Sequence, residues 1–422
     1  MDGYFSTDRH HRIRSDVRSF AETEVAPRVA AMENDRGVAH ELSRLIARQG
    51  WIGATIGADY GGMDAGHVAK TIIIEELSRV SGAMGAMVQA SQLGTAKIQH
   101  FGTDAQKKQW LPAVAGGACL PTIAVTELTS GSHVLGMSTT ARRDGDDYVL
   151  NGRKAYVGNS HVGDLHGVVA RTGAGSGRRS LSAFLVEADR PGFSAAPHRP
   201  AVGLPGFSFG ELIFDECRIP AANRLGAEGD GLDVAYSSSI LVGRPNLTAV
   251  SLGIHEAVVA ETVRFAGWQR RYGRPVAELP TVRDQIGRMQ SQLMTARLAA
   301  YHAAHLLDQG VECDAELQNA KLINAEYALD SARLAVEIHG AHVLFPDDSP
   351  IARYQRDAFH ILPPAGTSAV QRLRLAEYAL SQVKGAPWST RFLSSNAAET
   401  DDALATLLPA PRAEALVEAE AV

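Results

Sequence analysis

Residue types able to act on a substrate recur along this chain of 422 residues, and their spacing decides which of them can work together. Ser132 stands beside His133 in TSGSHVLG, a nucleophile next to a base. Sequence neighbours rarely face one another as that pair requires, and no G-x-S-x-G turn surrounds them, so serine-hydrolase chemistry is set aside. His302 with His305, and His339 with His342, have the i,i+3 spacing of a metal pair. No third and fourth ligand stands nearby, so no metal site is expected. TGAGSGRRS (172–180) has the composition of a phosphate loop. It joins two strand-like runs instead of opening a helix, and reads as a solvated hairpin loop. Near the other end, ILPPAGTSAVQR (361–372) holds no side chain able to take a proton.

A set of segments in a fixed order says more than any of these. WIGATIGADYGG (51–62), TELTSGSH (126–133), YVLNGRKAYVGNS (148–160), RYGRPVAEL (271–279), IHGAHVL (338–344), RYQRDA (353–358) and AGTSAVQR (365–372) follow one another as in the acyl-CoA dehydrogenases. From about residue 6 to residue 381 the chain resembles that family. The resemblance implies an acyl-CoA dehydrogenase-like fold: an N-terminal all-α domain, a middle β domain and a C-terminal four-helix bundle, with FAD between the β domain and the bundle. It further implies a homodimer or homotetramer, and a substrate acyl group on CoA or a carrier protein that loses two hydrogens across Cα and Cβ.

Such a reaction needs a base for the α-proton, an acceptor for the β-hydride and hydrogen-bond donors for the thioester oxygen. The resemblance places the family's usual glutamate base at Ala365, just before Gly366 and Thr367, and the alternative position used by some members at Gly243, in ILVGRP. Both base positions are expected to be empty, no replacement is assigned, and the Ala365 amide can still serve as an oxyanion donor. Arg244 either lines the acyl pocket or pairs with a carboxylate. Thr126, Gly131 and Ser132 match the family's flavin loop, with His133 in place of its aspartate. Tyr156 either keeps the aromatic wall of the flavin site or lies in the β core, and Gly158 lacks the hydroxyl that contacts flavin N5. Across the dimer interface, where the resemblance has residues meet the FAD pyrophosphate, Gln269 replaces an arginine and Glu337 a glutamine, while Arg270 and Arg271 could restore the positive charge. Gly340 and Thr367 complete the cofactor set.

The elements that must position these residues are legible in the hydrophobic period. Ile13, Val17 and Phe20, then Leu42, Leu45 and Ile46, then Ile73, Leu77 and Val80 recur at helical spacing. A helical domain is therefore expected over 1–118, with a Thr103/Gln106 capping box opening a helix that Pro112 disturbs. Short β-type runs separated by Gly, Asp and Pro mark a β domain over 119–229. Helical spacing returns over 230–385, where Arg356 and Asp357 read as an ion pair locking the bundle. Residues 386–422, rich in Ala and Glu, read as a tail that is mobile or docks on a neighbour.

Composition closes off several classes. With 41 basic against 47 acidic residues there is no broad positive field for nucleic acid. Cys119, Cys217 and Cys313 are too scattered for a disulfide framework or zinc knuckle and suit a reducing cytoplasm. No run of about 18 apolar residues offers a membrane span. Three readings remain: a flavin oxidoreductase on an acyl thioester with a base at an unusual position or none, a flavin monooxygenase on the same scaffold, and a flavin-free cyclase, isomerase, dehydratase or binding protein. Departures at so many family positions suggest a specialised tailoring role.

Overall fold

The computed structural model describes residues 4–175 and 177–392. Six helices open the chain: α1 (Asp8–Phe20), α2 (Val29–Asn34), α3 (Arg36–Ala47), α4 (Gly66–Val80), α5 (Gly82–Phe101) and α6 (Asp104–Ala115). Most residues of α4 and α5 are buried and none is fully exposed, so these two are central, and the others cover them. The Thr103 and Gln106 capping box forms as expected, but α6 runs through Pro112 to Ala115. Proline forfeits only the bond to the carbonyl of Lys108, which lies on the exposed face where water can serve it.

Eight strands follow: β1 (Pro121–Ala124), β2 (Thr140–Asp144), β3 (Asp147–Gly158), β4 (Leu165–Arg171), β5 (Leu181–Glu187), β6 (Phe193–Ala195), β7 (Phe209–Pro220) and β8 (Arg224–Leu225). They form one sheet in the order β6-β7-β3-β2-β4-β5-β8, with β1 alongside β4. The β3–β7 register slips between Lys154 and Val157, a bulge that gives Tyr156 a φ of 56° and turns its ring out of the sheet.

The remainder is helical again. After α7 (Gly231–Ser237), a π-helical segment over Ser238–Gly243 leads into α8 (Arg244–Trp268). A two-strand hairpin, β9 (Arg270–Arg271) and β10 (Arg274–Pro275), precedes α9 (Pro280–Asp308), α10 (Asp314–His339), α11 (Ile351–Ile361) and α12 (Ser368–Ala379). A network of charges welds the helical halves together. Glu75 and Glu76 on α4 take Arg14 and Arg18 from α1 and Arg297 from α9, with Arg14 Nη2 to Glu75 at 3.0 Å and Arg18 Nε to Glu76 at 2.9 Å.

Two expectations need correction. Arg356 and Asp357 form no ion pair: Asp357 is buried and its carboxylate accepts the Leu204 amide at 2.5 Å, tying α11 to the β domain. Residues 386–392 are held by contacts that fold them back on this chain's own helices. The rest of the expected tail, 393–422, lies outside the described residues.

Candidate functional site

A cavity of about 1600 Å³ opens between the sheet and the C-terminal helices. Small-molecule sites usually enclose roughly 300–1,000 Å³, so this one has room for a dinucleotide beside a substrate. Thr126, Gly131, Ser132, Tyr156, Gly158, Gly243, Arg244, Ala365 and Thr367 all line it.

The sheet wall is built around a buried ion pair that sequence reasoning passed over, although Glu127 and Lys154 both lie in the motifs. Lys154 Nζ is fully buried, 2.8 Å from Glu127 Oε1 and 3.0 Å from the Val125 carbonyl. Glu127 also accepts the Ser138 amide and hydroxyl, each at 2.7 Å, and the Thr139 amide at 2.9 Å. Burial pushes the Glu127 carboxyl up, but Lys154 and these hydrogen bonds outweigh it and bring it to about 2. Burial wins at Lys154, lowering it to about 8. With its carboxylate so held, residue 127 fixes the turn after β1, where an added Cβ at Gly131 would meet nothing within 4 Å. No hydrogen bond among the described residues takes the Gly131 or Ser132 amide. Tyr156, 57% exposed, belongs to this wall and not to the β core.

The opposite wall carries the two expected base positions, and the structure brings them together: a Cβ added at Gly243 would lie 3.1 Å from the Cβ of Ala365. Ala365 sits at φ 54° and Gly366 at φ 96°. Such a φ is costly for a residue with a Cβ and persists only when neighbours impose it. Here Lys321 Nζ binds the carbonyls of Leu362 and Gly366 at 2.7 and 3.0 Å, and the Gln371 side chain donates to the Ala365 carbonyl at 2.9 Å. Among the described residues no acceptor takes the Ala365 amide. Thr367 caps α12 through its hydroxyl. Arg244 is 6% exposed, its Nε has no partner, and it makes no ion pair among the described residues. Burial lowers it to about 10, opposed in part by Asp314.

Between the walls lies an aromatic row that the sequence had shown only as strand pattern. Phe207 stacks on Phe209 at 5.8 Å, and Phe209 meets Tyr156 at 6.0 Å and His360 edge-on at 5.1 Å. Phe207 fills the space beside Gly158: a Cβ added there would lie 2.9 Å from the Phe207 ring and 2.9 Å from Ala90 Cβ. The 172–180 loop is also more than a solvated hairpin, since Gly177, Arg178 and Arg179 reach the cavity wall and Arg178 pairs with Asp233.

The pyrophosphate set does not line this cavity. Arg271 Nη2 lies 3.5 Å from where a Gly340 Cβ would be, near Gln269 and Arg270 at the end of α8. Glu337 is not left as a bare charge: Arg333 pairs with it at 2.6 Å and Gln285 donates to it at 3.0 Å. His339 stacks on Phe265 at 4.0 Å, and His302 and His305 lie against Phe5. No group of three or more His, Cys, Asp or Glu residues placed to hold a metal ion occurs among the described residues. No described helix is long and apolar enough to cross a membrane.

Comparison with known proteins agrees with this architecture. The chain matches the acyl-CoA dehydrogenase N-terminal domain over residues 7–118, the middle domain over 122–217 and the C-terminal domain over 229–380. It is 35% identical to an acyl-CoA dehydrogenase of Bacillus subtilis (strain 168), across 89% of this chain and 98% of that one. An acyl-CoA dehydrogenase of Bacillus anthracis solved in complex with FAD superposes with a TM-score of 0.84 at 26% identity, covering 89% of this chain and 67% of that one. The prolyl acyl carrier protein oxidase AnaB superposes with a TM-score of 0.81, also at 26% identity, covering 88% and 99%.

Proposed function

The chain belongs to the acyl-CoA dehydrogenase family, and from that premise we propose a specialised flavin-dependent oxidoreductase that acts on an acyl thioester without a glutamate base. One observation carries the reading: Ala365 and Gly243 converge within a single large cavity, opposite the Gly131 turn and the bulged Tyr156. The residues fit FAD. The open turn at Gly131 with its unclaimed amides and the outward Tyr156 ring would hold the flavin, and Glu337, paired with Arg333, would not by itself repel the pyrophosphate of an FAD held in a second subunit's cavity. When bound, FAD supplies the acceptor for the hydride leaving Cβ.

The chain's own groups supply the rest. The Ala365 amide, held at positive φ, donates to the thioester oxygen as charge develops there. A proton acceptor follows by elimination among the described groups on the cavity wall. Glu127 is saturated, Asp314 accepts two backbone amides, and Glu377 pairs with Arg374 at 2.7 Å. His360 remains, its imidazole kept neutral because burial outweighs its hydrogen bond with the Gly203 backbone. It takes the α-proton, and the electron pair left on Cα closes the Cα=Cβ bond.

Anaerobic mixing of the purified yellow protein with phosphopantetheine-linked acyl thioesters tests this reading. Bleaching of the visible flavin bands without oxygen is expected, and His360→Gln should slow it about 100-fold with little change in thioester affinity. Ala365→Glu should restore the lost rate, since the side chain would enter the space left by Gly243. A colourless protein that FAD cannot reconstitute would end the redox proposal. A second reading, oxygen insertion by a flavin monooxygenase, is favoured by Phe207 occupying the space beside Gly158 and needs no α-proton acceptor. Turnover that demands oxygen and a separate reductase would select it.

A further inference from the structure

Most charges on the cavity wall already have a partner. Glu127 is held by Lys154, Arg178 by Asp233 and Arg374 by Glu377. The Asp314 carboxylate, at the first residue of α10, gives one oxygen to the Trp388 amide and the other to that of Ser389, each at 2.8 Å. Arg244 differs. It is 6% exposed, its Nε has no partner, and no hydrogen bond or ion pair reaches its guanidinium among the described residues. Gln318 shares that condition, lining the same cavity at 5% exposed with its side-chain oxygen unpartnered.

These two side chains lie together. Asp314, Gln318 and Lys321 recur at the spacing of one face of α10. Beyond burial, which lowers both cations, Asp314 at one end of that face raises Arg244, and Arg244 lowers Lys321 at the other end. The guanidinium therefore stands against the stretch of α10 that carries Gln318. The backbone leading into Arg244 is fixed as well, because Trp388 and Phe392 pack on Leu241 and Val242 in the π-helical segment that ends at Gly243.

A guanidinium buried without an opposite charge is costly, and an anion arriving with a ligand relieves that cost. Its N–H groups form a planar fork that matches a carboxylate, and a carboxamide beside it can add a further hydrogen bond. Position says which part of the ligand carries the anion. Gly243, the residue before Arg244, would place a Cβ 3.1 Å from that of Ala365, whose amide takes the thioester oxygen in the reading above. An anion at Arg244 is thus close to the reacting carbons, whereas a phosphate would stand the full length of a pantetheine arm away from them.

We propose that the acyl group carries a carboxylate of its own, which pairs with Arg244 and takes a hydrogen bond from the Gln318 side chain on the α10 side of the cavity. The substrate is then the monothioester of a dicarboxylic acid, and Arg244 distinguishes it from a plain fatty acyl chain. The inference rests on the thioester reading, but its test needs neither flavin nor turnover.

Calorimetry on the full chain with the carboxyethyl, carboxypropyl and carboxybutyl thioethers of pantetheine, each against its primary amide, decides it. These thioethers lack the carbonyl that activates the α-proton, so nothing turns over. At the length that fits, the acid should bind at least tenfold tighter than the amide. A buried pair is little screened, so the preference should persist as salt is raised. Arg244→Met should erase it with the amide bound no more weakly, and Gln318→Leu should reduce it by less. The acid and amide comparison on the unaltered chain stands without any variant. Equal affinities at every length, a preference that salt abolishes, or one that survives Arg244→Met overturns the proposal and leaves the thioester reading in place. Failure of every probe to bind, acid and amide alike, overturns both.

Discussion

The two walls of the cavity are held by different means. On the sheet side a lysine and a glutamate meet in the interior, and their hydrogen bonds fix the turn that would lie along a flavin. On the helical side the positions expected to carry a carboxylate hold a methyl group and a hydrogen atom, yet the backbone is held just as firmly by Lys321 and Gln371. A strained φ at Ala365 would be idle expense if only its side chain mattered. The difference teaches that the scaffold fixes the backbone at Ala365 through Lys321 and Gln371, whatever side chain that position carries.

The sharpest way to break this contrast is Lys154→Met. It strands Glu127 in the sheet wall without its counter-ion, and removing one partner of a buried pair costs about 3–5 kcal/mol. Chemical denaturation should show that loss, and the Glu127→Gln, Lys154→Met double variant should recover part of it. A loss below about 1 kcal/mol would mean that the pair is not what holds this wall.

Asp357 offers a smaller effect, because it joins the walls: it sits on α11 and accepts the Leu204 amide from the β domain. Burial raises its carboxyl from 3.8 to about 6, the Leu204 hydrogen bond opposing that rise only in part. Between about pH 4 and 6 the folded chain thus binds a proton that the unfolded chain has released. Stability from this group is fully present below about pH 4 and is lost as pH rises through about 6, by up to about 3 kcal/mol. Asp357→Asn keeps an acceptor for Leu204 and should flatten that slope in denaturation curves taken from pH 4 to 7. A slope unchanged by the substitution would assign the pH dependence elsewhere.

What the sequence disclosed follows from the range of its signals. The domain order is written in hydrophobic period, and the Thr103 and Gln106 cap acts within one turn, so both were legible. Motif order likewise located nine residues that prove to share one cavity, from Thr126 to Thr367. The misses concern what a side chain meets after a long excursion of the chain. Phe207 and Phe209 alternate as strand residues do, and alternation names a face without naming the cleft it borders. Arg356 and Asp357 adjoin in sequence, which invited a pairing, but the buried carboxylate finds an amide 153 residues away. The 386–392 segment has too few apolar residues for a core of its own, and its two rings instead complete a core made by α5 and the π-helical segment.

The smallest effect concerns the seam between the walls, at Gly158. A serine there would return a hydroxyl to the position, but its Cβ would stand 2.9 Å from both the Phe207 ring and Ala90. The Ala90 methyl is fixed directly to the backbone of α5, so the Phe207 ring is the part that must move, and overpacking of this kind costs about 1–3 kcal/mol. Gly158→Ser alone should therefore destabilise the chain. Phe207→Ala should also destabilise it, through the cavity it leaves. Combined, the serine occupies space the ring has vacated, so the double variant should be more stable than the sum of the two losses predicts, by about 1 kcal/mol. Denaturation of the four chains in that cycle measures the coupling directly. Strict additivity would show that Gly158 and Phe207 are independent, and that the missing hydroxyl was not excluded by the ring. A clear coupling would instead make the aromatic row and the glycine one change, in which a ring from the loop before β7 filled the space that a hydroxyl at residue 158 would need.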